Sequence, residues 1–177
     1  NNMLVIVMFF KKLSIFLFIL FSATKLFAAE EIKKNGNQLN FFTGNFDFSD
    51  DKQSAYLVGF QHQDNNLIRN TFLGNVSPIT GGFITENSAA YVYTGIEWNV
   101  DIGETMSFTP SFAPGLYNEG NGKDLGHVLE FKTEVQLSYG VSENTSFGMS
   151  YNHISNASLG TKNPGANSYM FNFLKKF

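Results

Sequence analysis

The stretch Leu125–Val141, LGHVLEFKTEVQLSYGV, carries the pattern that decides the fold class. Leu129, Phe131, Val135, Leu137 and Tyr139 alternate with Glu130, Lys132, Glu134, Gln136 and Ser138. Side chains two residues apart on a strand share a face. This strand therefore has one wholly apolar face and one polar, charged face. A soluble sheet with one solvated side can show the same alternation, so the neighbouring sequence has to decide between the two settings.

Working outward, the same period recurs in short runs bounded by turn residues, with no helix-period segment between them. Leu39–Phe48 puts Phe42, Phe46 and Phe48 on one face. Ser54–His62 does the same with Tyr56, Val58 and Phe60. A third run lies between Ile68 and Thr85, its limits blurred by Gly74, Pro78, Gly81 and Gly82. Ala89–Val100 sets Val92, Ile96 and Trp98 against Tyr91, Tyr93 and Glu97. Thr105–Tyr117 sets Met106, Phe108, Phe112 and Leu116 against Ser107, Thr109 and Ser111. After Leu125–Val141 come a seventh run, Thr145–Asn156, and an eighth, Ala166–Phe177. An even count of about eight antiparallel strands of about ten residues suits the smallest outer-membrane barrels, whose walls alternate lipid-facing and lumen-facing side chains.

Composition agrees with that setting. Aromatic residues make up 16% of the 177-residue chain and 20 residues are Phe, more than an ordinary globular core requires. Mean hydropathy is only −0.10, which excludes a bundle of membrane helices. The absence of cysteine excludes a disulfide framework, a thiolate zinc site and a cysteine nucleophile. Lys11 and Lys12 followed by the apolar Leu13–Phe21 and by Ala23–Ala29 read as a secretory signal peptide, residues 1–28, with cleavage after Ala28 and Ala29 as the alternative. A retained helix is the other reading, but two lysines interrupt the run from Leu4 to Phe21. If the first residues are an upstream extension, the start is Met3 or Met8. Without Lys11, Lys12 and Lys25, nine of the 12 basic residues face 15 acidic ones, for a net charge of −6. No basic cluster is left to hold nucleic acid. The final residue, Phe177, follows Tyr169, Phe171 and Phe173 in alternation and resembles an outer-membrane assembly signal, although Lys175 interrupts it. The expectation is an eight-stranded antiparallel transmembrane β-barrel of the outer membrane over residues 29–177. In a soluble periplasmic sandwich, the apolar rows of most strands would need a second sheet to cover them.

Three histidines are present. His62 and His127 lie near strand ends among polar residues and read as ordinary interface or surface side chains. His153 belongs to a denser pattern: His153-Ile154-Ser155-Asn156-Ala157, then Asn163-Pro164-Gly165-Ala166-Asn167. His153 and Ser155 share a face and lie within reach of an imidazole–hydroxyl hydrogen bond, as a base-activated serine requires. Their row continues through Tyr151, Met149 and Phe147, so it is the lipid face. A polar pair there is costly and invites a functional explanation. With both termini periplasmic, the end of this strand reaches the outer leaflet, where lipopolysaccharide resides. Glu130, Lys132 and Glu134 read instead as a lumenal charge network.

The stretch from Phe147 to Phe177 resembles the lipid A 3-O-deacylase family of outer-membrane barrels, whose motif is His-x-Ser-Asn-Ala, a short loop, and Asn-Pro-Gly-x-Glu or a near variant. The resemblance implies an esterase acting on an ester-linked acyl chain of lipid A, with lipopolysaccharide as partner and no metal or cofactor. It implies Ser155 as nucleophile, His153 as general base, and Asn156 as a residue that helps hold the oxyanion. The family's glutamate, which orients the histidine, falls on Asn167. An amide can accept a hydrogen bond from the ring and fix its tautomer but cannot offset the imidazolium charge. No Asp or Glu follows Glu143, so no acid near in sequence can replace it. The alternative is a barrel of the same scaffold that is weakly active or not catalytic. A porin is disfavoured because about eight strands leave a lumen filled by side chains.

Overall fold

The computed structural model describes residues 36–50, 52–72 and 74–177. The expected signal peptide lies outside these residues. Among the described residues nine strands run in chain order: β1 (Gln38–Phe46), β2 (Ala55–Gln63), β3 (Arg69–Thr71), β4 (Gly74–Thr85), β5 (Ala90–Ile102), β6 (Met106–Asn118), β7 (Leu129–Ser142), β8 (Thr145–Ser155) and β9 (Ala166–Lys176). Each strand of the wall pairs antiparallel with its neighbours, and β1 pairs with both β2 and β9. The β2–β4 ladder completes the ring. Eight strands thus form a closed barrel, and β3 pairs only with the start of β4. The third run of the sequence is therefore two pieces. Only β4 spans the wall, with Pro78 inside it and partnered by Ile96.

Burial follows the alternation. In β7, Glu130, Lys132, Gln136 and Ser138 are buried while Val135, Leu137 and Tyr139 are exposed. In a chain surrounded by water this would be inverted. Around the ring, exposed Tyr56, Val92, Phe112, Phe147 and Phe171 make an apolar outer wall. One expected row is corrected. Phe42 and Phe46 point into the barrel, but Phe48 is exposed. Asp47 between them has φ 51°, a left-handed backbone that ends β1 and turns the next side chain outward. The sixth run also starts later than its pattern suggested. Leu125 belongs to a loop folded over the barrel mouth, where Gly126 takes φ 92°, and its side chain is buried.

Lumen packing is layered. Under the longer loops, Phe46 stacks near Tyr117 and Phe83, and Phe83 meets Tyr91, which closes that end with rings. Below them lies a polar layer. Lys132 is 2% exposed, 3.3 Å from Glu134, and sits 4.1 Å over the Tyr93 ring. Asn152 donates to the same Glu134, Gln61 donates to Glu97, and Asn40 donates to Asn172. Glu130 stands apart from this network, and its carboxylate makes no hydrogen bond among the described residues. The packed interior agrees with the expectation that eight strands leave no open channel.

Connections at the two ends differ. At one end Ile102 to Met106 and Ser142 to Thr145 are tight, and a longer segment carrying β3 joins β2 to β4; at the other end residues 119–128 and 156–165 form long loops and residues 86–89 a short turn. Short periplasmic turns and longer outer loops are the rule for such barrels. By that rule the end of β8 and the start of β9, beside the two longest loops of their end, are assigned to the outer mouth.

The polar layer carries a consequence for stability. Lys132→Ala would leave Glu134 without its cation and strip the charge from above Tyr93. A loss of about 3–5 kcal/mol is expected from an uncompensated buried charge. The check is urea unfolding of the refolded barrel, compared with Lys132→Ala/Glu134→Ala, which should recover part of the loss.

Candidate active site

Antiparallel register places His153 of β8 directly opposite Asn167 of β9. The two side chains project outward, away from buried Asn152, Ile154, Ala166 and Ser168 on the inner row. His153 Nδ1 lies 2.8 Å from Asn167 Oδ1. An amide oxygen can only accept, so the proton of the neutral ring is on Nδ1 and Nε2 is left as the base. The Tyr151 hydroxyl also donates to Asn167 Oδ1 at 2.8 Å. Asn167 is thus held by two donors on the same oxygen.

Ser155 is the next residue on the His153 row and stands opposite Phe131 of β7. Among the described residues no hydrogen bond joins the Ser155 hydroxyl to His153. Catalytic contacts are often loose before substrate is bound. The two side chains lie on one half-exposed outward row at the outer mouth.

The side chain of Asn156 is committed elsewhere than the resemblance implies. It is fully buried, and its amide nitrogen donates to the Leu125 and Lys162 carbonyls at 2.8 and 2.9 Å. Its oxygen accepts from Ser158 N at 2.9 Å, and its own N–H donates to the Asn163 side chain at 3.0 Å. Asn156 therefore staples the loop after β8 to the loop before β7. An oxyanion contact from this side chain would require releasing one of those carbonyls. The staple also holds Ala157 and Ser158, which follow Ser155, at φ 53° and 65°, a strained region for residues with a side chain.

The rest of the motif has local reasons too. Gly165 adopts φ 66°, and a Cβ there would press on His153 Cε1, so only glycine lets the loop close against the imidazole. Lys162 pairs with Asp124 across the two loops at 2.5 Å. That hydrogen bond holds the exposed Asp124 carboxyl below the usual range. His62 lies toward the other end of the barrel, opposite Leu39 and Thr80, and no hydrogen bond joins His127 to His153 or Ser155 among the described residues. His127 Nδ1 accepts from Leu129 N at 3.0 Å, an ordinary loop contact.

Barrel closure adds residues that no reading along the chain would bring here. β1 is hydrogen-bonded to β9, so the loop after β1 lands on the start of β9. Phe48 N donates to Asn167 O at 3.0 Å, and Asn167 N donates to Asp47 Oδ1 at 3.2 Å. Asn167 Nδ2 donates to Ser49 Oγ at 3.3 Å. The Phe48 ring packs on Tyr151 and Tyr169 over the outward face. The expectation that no acid near in sequence could stand close to His153 holds for the stretch after Glu143. In space, however, Asp47 from the other end of the chain approaches Asn167.

Comparisons with known proteins follow this geometry. The family described as lipid A 3-O-deacylase (PagL) matches the chain over residues 54–176. The chain belongs to this family. The crystal structure of the outer membrane enzyme PagL superposes with a TM-score of 0.62 at 16% identity, covering 79% of this chain and 99% of that one. A de novo designed transmembrane β-barrel gives 0.56 at 11% identity, covering 84% and 100%. Neisserial surface protein A gives 0.51 at 11%, covering 80% and 96%. At these identities the structural likeness is one of fold, that of the outer-membrane β-barrel. No curated protein matches the chain in sequence.

The staple is testable without any activity assay. Asn156→Ala would orphan two buried carbonyls, each worth about 1–3 kcal/mol when left unpaired. Amide exchange and limited proteolysis should accelerate across residues 157–165 while the strands stay protected. An unchanged loop would mean that Asn156 does not anchor it.

Proposed function

We propose that this PagL-family barrel is a lipid A deacylase of the serine-esterase type, working in the outer membrane on ester-linked acyl chains of lipopolysaccharide, at the 3-O position as the family description suggests. The observation that carries this reading is the 2.8 Å contact between His153 Nδ1 and Asn167 Oδ1, on the outward face at the outer mouth beside Ser155. A lumenal active site could not meet a lipid. A lipid-facing one needs only that its substrate diffuse along the wall.

In the proposed reaction, Ser155 Oγ attacks the carbonyl carbon of the ester as its proton passes to His153 Nε2. The tetrahedral intermediate collapses, and the sugar oxygen leaves with that proton. Water, activated by the same imidazole, then cleaves the acyl-serine and releases the fatty acid. Asn167 holds the ring in its Nδ1–H tautomer throughout. Asn156 contributes through the loop it holds in place. Phe131, opposite Ser155, and the apolar wall below it offer a surface along which the acyl chain can lie.

A second reading, a barrel of the same scaffold with weak or no catalysis, is favoured by one observation. Position 167 carries an amide and so offers no charge to the imidazolium that forms during attack. In a serine triad, removing the acid costs about 10⁴-fold. The two readings separate in one assay of fatty-acid release from purified lipid A in detergent, using barrels verified as folded by heat-modifiability. On the deacylase reading the wild type releases acyl chain and Ser155→Ala falls to background. Asn167→Glu should raise the rate, since a carboxylate beside a charged imidazole at low dielectric is worth more than in water. No release by the wild type would favour the non-catalytic scaffold. Release retained by Ser155→Ala would remove Ser155 as nucleophile.

A further inference from the structure

Asn167 lacks the charge that a carboxylate would bring to His153. The loop after β1 provides one. From the ring outward, His153 Nδ1–H donates to Asn167 Oδ1 at 2.8 Å. Asn167 Nδ2 donates to Ser49 Oγ at 3.3 Å. Ser49 Oγ donates to Asp47 Oδ1 at 3.4 Å. That carboxylate oxygen also accepts directly from the Asn167 backbone N–H at 3.2 Å. Asp47 is 1% exposed, so water screens it little. Lys123 pairs with Asp47, but its ammonium is shared with Asp50 at 3.7 Å. Two carboxylates share one ammonium, so the cluster keeps a net negative charge, part of it on the 41% exposed Asp50.

We propose that Asp47 is a positioning residue that supplies, through Ser49 and Asn167, the negative charge the family's glutamate would place beside His153. This rests on the deacylase reading of the site. Every donor in the chain points the same way, from imidazole toward carboxylate. Each amide or hydroxyl is polarised by the next, and bonds in such chains strengthen one another. When His153 takes the Ser155 proton, the positive ring faces an Asn167 oxygen whose dipole is already oriented by Asp47. The route exists because the barrel closes β1 onto β9. Asp47 takes its left-handed backbone, φ 51°, at the point where the loop turns to reach Asn167. A surface ion pair alone would require neither the burial nor the bond to Asn167 N.

The test uses the full chain refolded in detergent, with three readouts. The first is the proton NMR resonance of His153 Nδ1–H, which reports the strength of its bond to Asn167 whether or not lipid A is cleaved. It should move upfield in Asp47→Asn and Ser49→Ala. The second is the rate at which a fluorophosphonate labels Ser155. It should fall about tenfold in Asp47→Asn and less in Ser49→Ala, the size expected of one charge acting at a distance. The third is deacylation kinetics, in which the loss should fall on kcat with KM unchanged. Asp47→Asn keeps the shape of the side chain and removes its charge. In an Asn167→Glu background, where the carboxylate already touches the ring, Asp47→Asn should cost nothing.

An unchanged Nδ1–H resonance in both single variants overturns the relay. So does a loss that persists in full with Asn167→Glu, since that is the mark of a loop clamp only. If Ser155 is not labelled even in the wild type, the deacylase reading fails, and the resonance still decides whether Asp47 is coupled to His153.

Discussion

A strand in hydrocarbon has no water to satisfy its N–H and C=O groups, so each must find another strand, and the sheet must close. The β1–β9 ladder is where this chain meets that demand, joining Gln38–Asn45 to Tyr169–Lys176. The rest of the structure follows from the closure. It turns nearly every strand's alternation into an inside and an outside. It packs eight strands around a lumen just wide enough for side chains. It also sets the first outer loop against the last strand, which is where the site lies.

The site is unusual for its location. Elsewhere the outer wall is largely apolar, yet His153 and Ser155 of β8 and Asn167 of β9, opposite His153, occupy adjoining outward positions at the outer mouth. Polar groups facing lipid are costly unless they are paired. Here Asn167 satisfies the His153 and Tyr151 donors, and Phe48 covers that corner with an aromatic ring. Paired loops brace the mouth behind it, through Asn156 and the Lys162–Asp124 contact. The scaffold thus holds His153 and Ser155 on neighbouring outward positions of one strand, with the loops bracing the end of that strand.

Much of this was legible in the sequence because strand period and turn residues act locally. The faces of β5, β6, β7 and β8 follow directly from alternation, and so does the outward direction of His153 and Ser155. Other features were hidden for physical reasons. A left-handed residue at Asp47 flips Phe48 without any glycine to announce it. Leu125 looked like strand because it is apolar, but it fills the mouth of the lumen instead. The family motif assigned Asn156 a role at the oxyanion, and the motif alone could not show the loop contacts its buried side chain makes with Leu125 and Lys162. The approach of Asp47 and Ser49 to Asn167 is legible only once β1 and β9 are known to be neighbours, at a separation of 118 or more residues. Tyr151 could have been anticipated, since it stands two residues before His153 on the same face.

On the proposed function, the outward-facing site acts on the lipid it touches in the membrane where the barrel sits. Mass spectrometry of lipid A extracted from Gram-negative cells with and without this chain tests that claim most directly. A lipid A species lighter by one ester-linked acyl chain should appear only in cells that carry the folded barrel. Identical lipid A profiles, with the barrel shown to be assembled in the outer membrane, would contradict it.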